Sequence, residues 1–147
     1  MQAYNLSYAD AAITPKYDIS HMYELSEDEY DEMDRLTESM WKDDLKNPDN
    51  KFYCIKDNGV ILGYGNIFPH KLDKRCACVG DFVLPQYRNQ GVGRSIIINL
   101  CQIAKEKGYI PTCGCWYYNH ASFSALKRSN FLPTSRLFYV RFLNNNS

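Results

Sequence analysis

Residues 86–100 read QYRNQGVGRSIIINL, so Arg88, Asn89, Gln90, Gly91, Gly93 and Arg94 stand directly ahead of a strongly apolar segment. A helix opening in such a stretch presents free N–H groups and a partial positive charge, which suits an anion. Glycines at 91 and 93 allow close approach to the backbone, and the two arginines add mobile positive charge. Two better-known phosphate loops are excluded. A Walker loop needs glycine where Arg88 stands and lysine where Arg94 stands. A dinucleotide fingerprint needs a small residue at Ile96 and an acidic one about 20 positions on, and neither is present. By itself the pattern equally describes a turn closed by glycines.

A second candidate for chemistry is Asp81, the one charged residue in CACVGDFVL (76–84). A carboxylate in an apolar strand is costly to bury unless paired or hydrated. Alternation puts it on the side of Val79 and Val83, and partial burial would make it a better proton acceptor. The competing reading is a structural aspartate bonded to nearby backbone or to an arginine. Four of the six cysteines form Cys76-x-Cys78 and Cys113-x-Cys115. Zinc ligands favour spacings of two to four residues on a turn. Here each pair lies in a strand-like run, so reduced, metal-free thiols acting as small hydrophobes are expected, at least two of them buried.

The elements that must position these groups follow from pattern. A capping box at Ser26-x-x-Glu29 opens a helix with Tyr30, Met33, Leu36, Met40 and Trp41 at helical spacing, closed by Asn47-Pro48. Residues 17–25 ahead of it read as a first strand, and residues 1–16 as an irregular arm. Asn58-Gly59 between apolar runs signals a hairpin of 52–55 with 60–68. The run 76–84 is a further strand. Ile96, Ile97, Leu100, Ile103 and Ala104 mark a helix over 95–107, stopped by Gly108. Residues 109–118 form a strand with a proline near its start. Asn119 caps a helix that Asn130 closes. The last strand is 136–143, and 144–147 is a frayed tail. The order β-α-β-β-β-α-β-α-β predicts an α/β fold with a mixed central sheet.

At 147 residues, 45% hydrophobic and 23% charged, the chain suits a single globular domain over 1–147. No apolar run approaches the roughly 20 residues of a membrane helix, and the N-terminus lacks a basic start, so a cytoplasmic location without membrane partners is expected. Charge is segregated: residues 1–50 carry 4 Lys/Arg against 13 Asp/Glu, and the remainder reverses this. The basic residues form no run of the nucleic-acid-binding kind. The pattern fits a compact anionic ligand beside a cationic one, or simply a solvated acidic helix.

The run from Val83 to Gly93 closely resembles motif A of the GCN5-related N-acetyltransferases. In that family an arginine or glutamine, a glycine three on, and a glycine or alanine two further wrap the diphosphate of acetyl-CoA. WYYNHASFSALKRSNF (116–131) is similar to the family's strand, asparagine and helix, with Asn130-Phe131 in place of its Gly-Phe. The resemblance implies acetyl transfer from acetyl-CoA to a primary amine, on a small molecule or peptide, by direct attack in a ternary complex without a metal. A homodimer is compatible with it.

Carried over, the family pattern gives Val83 and Leu84 backbone groups to the pantetheine arm. Arg88 and the amides of Asn89, Gln90, Gly91, Val92, Gly93, Arg94 and Ser95 go to the diphosphate. Asn119 is assigned to the pantetheine region, with Ser122 close by and Lys127 or Arg128 toward the nucleotide. The tyrosine that many members use to protonate the thiolate is replaced here by Leu126, leaving Tyr117 and Tyr118 as acid candidates and Asp81 as the base candidate. Two alternatives stand beside this reading: a CoA-binding module without transferase activity, and a thiol-rich redox or zinc protein.

Overall fold

The structure is a computed structural model that describes residues 2–8, 14–116 and 131–138, with side chains described over 14–112. Seven strands, β1 (Gln2–Tyr8), β2 (Met22–Glu24), β3 (Lys51–Asp57), β4 (Val60–Pro69), β5 (Cys76–Val83), β6 (Ile110–Trp116) and β7 (Phe131–Phe138), form one sheet in the order β2-β3-β4-β5-β6-β1-β7. Helices α1 (Tyr30–Leu36) and α2 (Val92–Glu106) pack on its two faces. The mixed α/β architecture agrees with the expected order, apart from the predicted helix after Asn119, which lies outside the described residues.

Residues 2–8 are not an irregular arm. They form β1, antiparallel to both β6 and β7. Pro133 lies opposite Leu6 where the β1–β7 register shifts, because a residue without an N–H cannot hold a regular ladder there. The first predicted strand shrinks to Met22–Glu24. Asp18 caps a short 3-10 turn over Ile19–His21, accepting from the Ser20 N–H at 3.0 Å, and takes those residues out of the sheet. The last strand begins earlier than predicted, at Phe131, and the remainder of 136–143 is outside the described residues.

The Asn58-Gly59 hairpin is as expected, both residues having positive φ (50° and 79°), as a two-residue turn requires. The acidic helix starts at its capping box, with the Ser26 N–H donating to Glu29 Oε1 at 3.0 Å. It ends sooner than its apolar spacing predicts. Thr37 Oγ1 donates to the Met33 carbonyl, and Glu38 and Ser39 turn left-handed, so Met40 is exposed while Trp41 returns to the core. Helix α2 begins at Val92, earlier than predicted, and stops at Gly108 (φ +88°), whose N–H donates to Lys105 O.

One core layer lies between α2 and the sheet and is built on Ile96, Ile97, Leu100, Ala104, Val79 and Ile67. The other lies under α1, where Met33, Trp41, Phe52, Tyr64 and Leu84 meet. Each fully buried Leu or Ile contributes about 1.5–3 kcal/mol, so α2 is held chiefly by its apolar face. That face fixes where its N-terminus falls: at the C-terminal end of β5.

Candidate active site

Strand β5 pairs with β4 along its whole length but with parallel β6 only over Cys76–Ile110, Ala77–Pro111 and Cys78–Thr112 among the described residues. Beyond Cys78 the two strands part. Leu84 N–H donates to Leu62 O at 3.1 Å, which in an antiparallel ladder directs the backbone groups of Asp81 and Val83 away from β4, into the gap. The opening therefore presents strand polar groups that have no strand partner.

This geometry sorts the sequence candidates. Val83 faces the gap, but its carbonyl accepts from Arg88 Nε at 3.0 Å, while the Arg88 guanidinium covers the Phe82 ring. Leu84 corrects the expectation: its N–H goes to Leu62 and its carbonyl accepts from the Tyr87 N–H at 2.9 Å, so neither backbone group is turned to a ligand. Pro85–Tyr87 makes one 3-10 turn that ends the strand. Asn89 (φ +63°) and Gly91 (φ +81°) then reverse the chain, and Gly91 caps α2.

The first helical bond is Ser95 N–H to Gly91 O at 3.1 Å, so the N–H groups of Val92, Gly93 and Arg94 have no intrahelical partner. Ser95 is the second correction. Its N–H is spent on Gly91 O, and its buried hydroxyl donates to the same carbonyl and accepts from Tyr17 N–H. Ser95 braces the loop and offers no donor outward. Gln90 Nε2 donates to Gln86 O.

Lys16 is the residue the sequence did not reveal. Its Nζ donates to Gln90 O at 3.2 Å, and its alkyl chain lies where a Cβ on Gly91 would make contact at 3.6 Å. Tyr17 is tied down on both sides, by Ser95 Oγ at 3.1 Å and by Asn99 Nδ2 at 2.9 Å. The contact spans more than seventy positions and had no local signal. Lys16, Arg88 and Arg94 form no ion pair among the described residues, leaving three exposed cations around one loop.

Asp81 lies on the α2 face with Val79 and Val83, as alternation predicts, and its Oδ2 is seated against Gly93. It makes no hydrogen bond among the described residues, and burial pushes its pKa up to about 6. The burial expected of at least two Cys-x-Cys thiols is open, because the side chains of Cys113 and Cys115 lie outside the described residues. Cys76 and Cys78 are half-buried, while Cys54 and Cys101 are the fully buried ones. The two Cys-x-Cys pairs are out of register, Cys76 and Cys78 standing opposite Ile110 and Thr112. Described residues include no group of three or more His, Cys, Asp or Glu side chains fit to hold a metal. No described helix is long and apolar enough to cross a membrane. Tyr117, Tyr118, Asn119, Ser122 and Lys127 lie outside the described residues.

A split between two parallel strands, with a positively charged helix start at its mouth, is a frame that suits an extended anionic ligand. The model of the acetyltransferase (GNAT) family matches residues 16–131, and the chain belongs to that family. Solved structures share the fold. A putative GNAT-family acetyltransferase from Novosphingobium aromaticivorans superposes with a TM-score of 0.69 at 17% identity, over 92% of this chain and 60% of that one. A GNAT-family acetyltransferase from Colwellia psychrerythraea gives 0.73 at 13%, over 92% and 53%. The chain thus spans little more than half the length of these two. The aminoglycoside N-acetyltransferase AAC(6')-Iy, in complex with CoA, gives 0.65 at 19%, over 82% and 98%. No curated protein matches the sequence.

Proposed function

We propose that the chain is an N-acetyltransferase that moves the acetyl group of acetyl-CoA to a primary amine within a ternary complex. The observation that carries this reading is the loop at the end of β5. Left-handed turns at Asn89 and Gly91 leave the amides of Val92, Gly93 and Arg94 without partners among the described residues, beside three cations in no ion pair with a described residue and the open edge of β5. That arrangement fits a diphosphate continuing into an extended amide-bearing arm. In this reading Lys16, Arg88, Arg94 and the loop amides hold the diphosphate, Val83 N–H pairs with the pantetheine arm, and Asn119, Ser122 and Lys127 complete the cofactor contacts.

Acetyl-CoA supplies a thioester whose carbonyl carbon the amine nitrogen attacks, with the CoA thiolate leaving. The chain has to hold the two together, take a proton from the ammonium, and stabilise the oxyanion with a strand amide. Asp81 is the proposed base, acting through water. A carboxylate with a pKa of about 6 is mostly ionised at pH 7 yet basic enough to accept a proton. Tyr117 or Tyr118 is the proposed acid, since the family's tyrosine slot holds Leu126.

The acceptor is proposed to be cationic. Acidic residues crowd the stretch from Glu24 to Asp49, which includes α1. Two of the similar structures are aminoglycoside acetyltransferases. The deciding experiment follows CoA release with polyamines, aminoglycosides, lysine peptides and neutral arylamines. Turnover with the charged amines is expected. Best turnover with neutral arylamines would remove the cationic acceptor, and CoA binding with no turnover would favour a CoA-binding module.

A further inference from the structure

On the α1 face, strand β4 interrupts its apolar pattern once. Tyr64 and Phe68 belong to the core under α1, and between them stands Asn66, only 4% exposed. Its neighbours across the sheet are Phe52 on β3 and Gly80 on β5. The Asn66 amide makes no hydrogen bond among the described residues. It is not sealed either, because Asp34 Oδ1 is the sole fully enclosed side-chain atom without a partner among the described residues. The residual exposure of Asn66 is therefore at its amide.

Gly80 explains how the amide is held. A Cβ at that position would come within 2.5 Å of Asn66 Oδ1, so the amide oxygen occupies the space over Gly80 that any side chain would fill. Gly80 is also among the first β5 residues past Cys78, where pairing with β6 ends. Among the described residues, Gly80 itself puts no side chain between the amide and the open edge of the strand. Two residues along the same face of β4, Tyr64 is buried as a residue, and its hydroxyl likewise makes no hydrogen bond among the described residues. Its pKa is pushed up to about 12, by burial first and then by the charge of Glu32, which places that acidic side chain of α1 near it.

An amide on a residue only 4% exposed that bonds to no described protein group is unfavourable for folding alone, since an apolar side chain of similar shape would avoid the desolvation. We infer that Asn66 is an acceptor-binding residue: its amide receives the N–H of the primary amine as it reaches the edge of β5 from the α1 face, over Gly80. This rests on the transferase reading above. It brings the amine in from the α1 side while the phosphate loop and Asp81 lie on the α2 side, so the proton reaches Asp81 through water at the open edge of β5. An ammonium arriving there meets the amide at its reacting end and the carboxylates of α1 behind it.

The test uses Asn66→Leu, which keeps the branching and the number of heavy atoms, and Asn66→Ala, which makes no steric demand should the larger leucine not fit. Spermidine, an aminoglycoside and a lysine peptide serve as acceptors. For the acceptor that turns over, kcat/KM is expected to fall at least tenfold, mostly through a raised acceptor KM. The KM for acetyl-CoA should stay within about twofold, and the Tm of the leucine variant should equal or exceed the wild type's. Acceptor kcat/KM within threefold of wild type in either folded variant would overturn the inference, as would parallel loss of acetyl-CoA KM. A wild type that binds CoA but acetylates none of the probes overturns the transferase reading, and the inference with it.

Discussion

A Cβ built on Gly93 would lie 2.8 Å from Asp81 Oδ2 and 3.2 Å from Val83 Cγ2. The carboxylate of β5 is thus seated directly against the first turn of α2, and the glycine is required by what lies beneath it as well as by any ligand above.

Gly93→Ala should therefore destabilise the protein by about 1–3 kcal/mol, as overpacking does, despite the better helix propensity of alanine. In an Asp81→Ala background the clash with Oδ2 is gone, and the same change should be close to neutral. Denaturant unfolding of the four-member cycle checks this. A coupling energy below about 0.5 kcal/mol would show that the two residues do not constrain each other.

Asp81→Asn separates chemistry from folding. As the base, Asp81 should give at least about a tenfold fall in kcat on substitution, loss of the acidic limb of the pH–rate profile, and unchanged CoA affinity. The stability effect has the opposite sign. A carboxyl whose pKa is raised on folding favours the folded state below its unfolded pKa, and that contribution is lost as pH rises through about 6. The asparagine variant should be more stable than wild type above pH 7, by about 3 kcal/mol, with the gap closing toward pH 4. A variant that melts earlier at pH 8 would mean the carboxylate has a structural partner after all.

Gly91→Val should abolish acetyl-CoA binding, but chiefly through the backbone. The φ of +81° is strained for any L-residue and worst for a β-branched one, whereas a Cβ there meets only the Lys16 side chain at ordinary contact distance. Gly91→Asn, which tolerates the left-handed region, should keep measurable affinity. Calorimetry showing equal affinity for both variants would contradict this account of the loop.

Lys16→Met should weaken CoA binding several-fold and flatten its salt dependence, while leaving Tm within about 2 °C, because an exposed lysine bonded to one carbonyl contributes little to folding. Dephospho-CoA tests where the cation acts. If the loss of affinity persists with that ligand, Lys16 serves the diphosphate; if it vanishes, Lys16 serves the 3′-phosphate. No loss with either ligand would remove Lys16 from the site.

The elements around the phosphate loop were legible because their determinants are local. Asn58-Gly59 dictates its hairpin, Gly108 its helix stop, and Pro85 the end of β5. What was missed depends on contacts made only in the folded chain. Thr37-Glu38-Ser39 contains neither glycine nor proline, yet two consecutive left-handed residues cut the acidic helix short so that Trp41 can reach Phe52. Lys16 finds Gln90, and Tyr17 finds Ser95 and Asn99, through tertiary packing alone. Leu84 and Ser95 carry the right residue types at the right spacing, but their donors are consumed by Leu62 and Gly91, which only the ladder and the helix register disclose. Asn66 did leave a trace, the one polar amide in a strand that is otherwise apolar or glycine and buried on both faces through its middle.

Strand β1 sets the order in which this sheet can be completed. Ala3 lies opposite Trp116 on one side and Leu137 on the other, so residues near the start of the sequence wait for partners near its far end. During synthesis β2 to β5 can pair as each emerges, because hairpins join three of those four strands and their closures are short. The β6-β1-β7 segment cannot form until β7 has left the ribosome, and it pays a long loop-closure entropy when it does. Until then the outer edge of β1, where β7 will pair, is open to any passing strand, including one from another copy. Assembly of this half of the sheet is thus a late, whole-chain event, and a bulky fusion placed against Gln2 would be felt first as a loss of folding yield.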